Sequence, residues 1–170
     1  MPLSVEEHAF RMKHKMQELE LQRRPPGWRL PRLIVCERKG RWATALRILG
    51  GVTAGCMVET RSLSDCAEEL LAHPHSFLLL EMSVRNAAAV VEWLAQLDRL
   101  DPQARAAVAA DRSLRVWERV VREAGAVWFV TSPRGVAPLA RMAKRHLDAL
   151  PRPPRSFVDE VWDSLPWARY

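Results

Sequence analysis

The sequence has little of what announces most chemistries. Its three cysteines, Cys36, Cys56 and Cys66, lie far apart, with no CxxC and no Cys/His ligand spacing. This argues against a zinc site and a disulfide framework and leaves reduced, buried thiols as the plain reading. No uncharged apolar run approaches the roughly 18 residues of a membrane span. Met1 to Lys15 holds neither a long apolar stretch nor a small-residue cleavage site, so the expected location is cytoplasmic, with no membrane partner. A Gly-x-x-x-x-Gly-Lys-Ser/Thr loop is missing, and the segment Glu37 to Trp42 lacks the glycine spacing of a dinucleotide site. Its basic residues, at the start of a helix, leave two readings, an anion site or a solvated loop. His73 and His75 flank Pro74, while His8, His14 and His146 stand alone, and none has a Ser, Cys or acidic neighbour in a recognisable catalytic pattern. The expectation is no enzyme, no metal and no cofactor.

Charge of one sign is not concentrated either. The net charge is +6, divided as +2 over residues 1–31, +4 over 32–150 and zero over 151–170. No segment is the dense basic arm of a disordered nucleic-acid tail.

What is present falls into three segments. Residues 1–31 begin with Ser4 and Glu7 at capping-box spacing, and Val5, Ala9, Met12, Met16 and Leu19 then make one apolar stripe, halted before Pro25, Pro26 and Gly27. Such a helix either packs on its own domain or forms a seam with a second copy or another partner. Residues 32–150 alternate short apolar runs with amphipathic stretches, the pattern of repeated βα units around a parallel sheet. Strands are predicted at Leu33–Glu37, Cys56–Thr60, Phe77–Met82, Arg105–Ala110 and Ala126–Thr131, and helices at Trp42–Leu49, Ser64–Ala72, Ala87–Leu100, Ser113–Ala124 and Val136–Leu150. Residues 151–170 open with Pro151, Pro153 and Pro154, followed by a short amphipathic helix and a tail that carries Phe157, Val161, Trp162 and Trp167. So much aromatic surface needs a cover, either the chain's own domain or a partner's groove.

Five βα units are common to several families, and the turns discriminate between them. The stretch from Ala124 through Gly125, Ala126 and Phe129 to Thr131, Ser132 and Pro133 resembles the fifth strand of a response-regulator receiver, and the likeness extends over about 33–148. The resemblance implies a flavodoxin-like, doubly wound α/β fold with strand order 2-1-3-4-5. It also implies a phosphotransfer site: an acidic pair after the first strand to bind magnesium, an aspartate on the third to accept the phosphoryl group, and a hydroxyl and a lysine to sense it. Carried over, the acidic pair falls on Cys36 and Glu37, the acceptor on Glu81, the hydroxyl on Ala110 and the lysine on Ser132, with Phe129 at the switch-aromatic position. Phe129 equally suits a plain core residue. Pro133 implies the cis turn that receivers place there. A thiol is a soft ligand for magnesium, a glutamate is one methylene too long, and alanine and serine supply neither hydroxyl nor charge where receivers need them. The pattern is that of a pseudo-receiver.

The expected function is therefore a non-enzymatic protein–protein interaction, regulatory or scaffold module, not phosphorylated at the usual aspartate position. Candidate contact residues are Arg112, Arg115, Arg119 and Arg122, spaced to share one face of the fourth helix, together with the aromatic tail. Glu118, four residues before Arg122, makes a self-paired solvated face the simpler alternative. Homodimerisation through the N-terminal helix or the fourth-helix face is a second partner reading. Nucleic-acid binding by the arginine row and the N-terminal helix is the alternative function, and a residual phospho-switch at Glu81 comes third.

Overall fold

The computed structural model describes residues 30–150; the N-terminal helix and the aromatic tail expected from the sequence lie outside them. Five parallel strands, β1 (Leu33–Cys36), β2 (Met57–Thr60), β3 (Phe77–Met82), β4 (Arg105–Ala110) and β5 (Trp128–Val130), form one sheet in the order β2-β1-β3-β4-β5. Helices α1 (Arg41–Gly50), α2 (Leu63–Ala72), α3 (Ala87–Leu100), α4 (Glu118–Glu123) and α5 (Val136–Ala149) alternate with them. This is the flavodoxin-like architecture that the sequence pattern and the resemblance imply.

Strand alternation sorts the core into two layers. Leu33, Val35, Phe77, Leu79, Ala107, Ala109 and Val130 join Trp42 and Leu46 of α1 and Leu139 and Ala143 of α5. Ile34, Leu78, Leu80, Val108, Ala110 and Phe129 face the other way, with Cys66 of α2, Trp93 of α3 and Val121 of α4. Small residues on β4 leave volume for the two buried tryptophans, the large-against-small matching that a dense core requires.

The layer holding α1 and α5 is tight at one point. A Cβ built on Gly50 would lie 2.7 Å from the Cβ of Ala140. Gly50→Ala should therefore lower the melting temperature, because overpacking of about 1–3 kcal/mol outweighs a helix-propensity gain of at most about 1 kcal/mol. An unchanged or raised melting temperature would show that the two helices separate without penalty.

Differences from the predicted elements have local causes. Cys56 closes a 3-10 turn, Ala54–Cys56, and is exposed, so β2 starts one residue later at the buried Met57. The left-handed Gly125 (φ +111°) precedes β5, whose ladder starts only at Trp128. The fourth helix is not continuous from Ser113; a 3-10 turn, Arg112–Trp117, comes first. Residues three apart eclipse in a 3-10 helix, which puts Leu114 and Trp117 together against the same core layer. The expected cis turn at Pro133 is also corrected, since no peptide bond among the described residues is cis. Pro133 instead opens a 3-10 turn, a place its preset φ suits, and Ser132 Oγ accepts from the Arg134 N–H at 3.3 Å.

Both ends of the described chain meet the sheet at the edge where its strands begin. Leu30 O is held by His73 Nδ1 at 2.8 Å, and His146 near the end of α5 places Nε2 2.9 Å from His75 O.

Candidate functional site

At the opposite edge, the carboxyl ends of β1, β3, β4 and β5 bring Cys36, Glu37, Glu81, Ala110 and Ser132 into one region. Glu37 continues the alternation of Leu33 and Val35, so its side chain turns towards α1. The chain passes through a left-handed turn at Gly40 (φ +73°), and the start of α1 folds back onto the carboxylate. Glu37 Oε2 accepts from the Trp42 N–H at 2.9 Å, and Oε1 accepts from the Ala43 N–H at 2.6 Å. The residue is only 2% exposed. Glu37 thus occupies the helix N-terminus with the chain's own anion, the place where the sequence left room for a bound one. The amides at the start of α1 are therefore closed to a bound anion, and only the exposed side chains of Arg38 and Lys39 remain for one.

Glu81 follows the same parity on β3 as Phe77 and Leu79, and its side chain is 17% exposed. Its Oε2 accepts from the Arg38 N–H at 3.0 Å. Arg41 lies over the Trp42 ring, 4.9 Å from the centroid, with Nε 3.5 Å from Glu81 Oε1. Its Nη2 donates to Asp111 Oδ1, in the loop after β4, at 2.9 Å. One guanidinium therefore bridges the end of β3 and the loop after β4. Arg41 was not singled out from the sequence. The available signal was a basic residue at the first position of a helix, where the macrodipole disfavours positive charge and something must compensate.

Cys36 points to the other layer. The Cys66 thiol hydrogen-bonds to it, which holds Cys36 below the ordinary thiol range. Donating that bond and being fully buried push Cys66 well above it. Ala110 is completely buried, and Ser132 is spent as a cap. These donors do not suit a magnesium ion, which wants several free hard oxygens: Cys36 offers sulfur, both Glu37 oxygens are taken by backbone amides, and Glu81 faces a guanidinium.

The remaining candidates separate. Phe129 is buried in the core layer of α2 to α4. Arg112 and Arg115 stand on the 3-10 turn, exposed. Arg119 pairs with Glu123 at 2.8 Å and Arg122 with Glu118 at 3.1 Å, and Arg122 also lies over the Trp128 ring. Phe157, Val161, Trp162 and Trp167 lie outside the described residues.

Sequence reasoning gave His75 no acidic neighbour, and the structure corrects this. His75 adopts a left-handed backbone (φ +64°), and both its N–H and its ring Nδ1 meet the Asp101 carboxylate, 26 residues away, with Nδ1 at 2.8 Å from Oδ1. Asp101 also accepts from the N–H groups of Gln103 and Ala104. Burial raises the Asp101 pKa, but the hydrogen bonds from His75 and Gln103 outweigh it and hold the carboxyl below its ordinary value.

No family model matches the chain, and no curated protein matches it in sequence. Solved structures do. A response regulator from Thermotoga maritima superposes with a TM-score of 0.50 at 14% identity, over 71% of this chain and all of that one. The fold is receiver-like. A protein described as pilus assembly-related from Burkholderia pseudomallei is also similar to this receiver-like domain, with a TM-score of 0.53 at 16% identity, over 72% of this chain and 92% of its own. The pilus assembly protein CpaE from Caulobacter crescentus gives 0.48 at 17% identity, over 68% and 94%. At these identities the likeness concerns the fold, and the residues at the sheet edge must carry any functional argument.

Proposed function

We propose that this receiver-like domain is a regulatory module with no phosphotransfer chemistry of its own, held in one state and acting by presenting a surface to a protein partner. The observation that carries this reading is the placement of Arg41. Its guanidinium stands between Glu81 and Asp111, where a receiver's chemistry calls for a metal ion and a phosphoryl group. Ala110 and Ser132, which align with the sensing hydroxyl and lysine, leave nothing there to detect phosphate. Exposed ion pairs contribute only about 0–1 kcal/mol, so the bridge matters less for stability than for filling the space with fixed positive charge.

The test is incubation of the full chain with acetyl phosphate and magnesium, followed by intact mass, with a parallel amide spectrum in beryllofluoride. The expected results are no phosphoryl adduct and no magnesium-dependent shift. A phosphoryl group on Glu81, or amide shifts at Arg38, Arg41 and Asp111 that need both magnesium and the mimic, would overturn the reading.

The nucleic-acid alternative through the fourth helix is weakened where Arg119 and Arg122 are concerned, because each already has a carboxylate partner in its own helix.

A further inference from the structure

On the helices, Arg119 is answered by Glu123, Arg122 by Glu118 and Lys144 by Asp148, all at i,i+4 spacing, while Arg99, Arg141 and Arg145 have no ion pair among the described residues. The loops at the carboxyl edge of the sheet gather more such cations in one row. Arg38 and Lys39 after β1, Arg85 after β3, Arg112 and Arg115 after β4, and Arg134 after β5 are all exposed, and their side chains have no ion pair among the described residues. The carboxylates in the same loops and strand ends are already engaged. Glu37 caps α1, while Glu81 and Asp111 share Arg41. With Arg41 counted, seven cations stand against these three carboxylates in the loops and strand ends of β1, β3, β4 and β5, an excess of four. The end of β2, with Arg61, Glu59 and Asp65, reduces the excess along the whole edge to three.

We propose that this edge binds the phosphodiester backbone of nucleic acid, without reading its sequence. The inference goes beyond the protein-binding reading and does not depend on it. Three observations favour a phosphate backbone over an acidic protein. First, β1, β3, β4 and β5 are consecutive neighbours, so their loops form a row about 14 Å long at the usual strand spacing. That length of duplex carries about eight phosphates. Second, five of the six unpaired cations are arginines, whose planar fork matches pairs of phosphate oxygens. Third, the edge lacks the apolar centre that a protein interface needs. Its exposed large apolar side chains are Val84 and Val116, and no aromatic is exposed there among the described residues. Asn86, the amide side chain on these loops, is consumed by Ser83 and by Glu81 O and is not available to an adenine edge.

The experiment is fluorescence anisotropy of the full chain with a labelled DNA duplex of mixed sequence, titrated at several salt concentrations. The affinity should fall with salt at a log–log slope of about −4 to −5. The variant Arg38→Glu/Arg85→Glu/Arg134→Glu should bind at least about tenfold more weakly and have a slope shallower by about three. A control on the outer face of α5, Arg141→Glu/Arg145→Glu, should change the affinity by less than about twofold. Thermal melts confirm that both variants are folded. No binding at low salt, an edge variant that binds like the wild type, or a control that loses as much as the edge variant would each overturn the proposal. So would competition by polyglutamate as effective as unlabelled duplex at equal charge, which would transfer the surface to an acidic protein.

Discussion

Replacing Glu37 by alanine is expected to lower the unfolding free energy by about 2–5 kcal/mol, since two buried N–H donors at the start of α1 lose their acceptor and each unsatisfied donor costs about 1–3 kcal/mol. Glu37→Gln keeps one carbonyl oxygen in place and should lose only about 1–2 kcal/mol. Urea denaturation with an unchanged m value checks both variants. A loss below about 1 kcal/mol for the alanine variant would mean that water takes over the cap, and the picture of a sealed helix start would fail. The result also bears on function, because a carboxylate committed to α1 is withdrawn from metal binding.

The second large effect lies at the other edge of the sheet. Asp101→Ala should cost about 2–4 kcal/mol, because the buried carboxylate satisfies three backbone N–H groups and the His75 ring at once. It also fixes His75 in a left-handed conformation that a residue with a Cβ adopts only when its surroundings insist. The acid dependence has a definite sign. The folded state holds the Asp101 carboxyl below its ordinary value, so the unfolded chain binds the proton more readily. The stabilisation is complete above the ordinary aspartate range and is lost as the pH falls through the lower folded value, below about pH 4. Stability measured from neutral pH downward should therefore fall less steeply in that window for Asp101→Asn than for the wild type. Parallel curves would remove Asp101 from the acid response.

Local pattern made much of this fold legible. β4 and α3 have the predicted limits, Arg105–Ala110 and Ala87–Leu100, because a run of apolar residues flanked by polar turns and a long amphipathic stretch are strong signals. The fourth helix misled because its 3.6-residue spacing fits the arginines, whereas burial of Leu114 and Trp117 favours a 3-10 turn. The positions at the sheet edge followed from strand order. Their chemistry did not, since it depends on contacts between residues distant in sequence: Arg41 with Asp111, 70 residues apart, and His75 with Asp101. No periodicity encodes such pairs. Glu37 shows the limit most clearly, because an acidic residue after the first strand reads equally as a metal ligand or a helix cap, and only the course of the chain through Gly40 decides between them.

Leu30, through His73, and the last turns of α5, through His146, meet the same edge of the sheet, and the arginine-lined loops occupy the other. Attachment therefore has a direction. A label or surface linkage placed at Leu30 or at the end of α5 would sit across the sheet from the cationic loops and leave the proposed phosphate-binding edge open to solution.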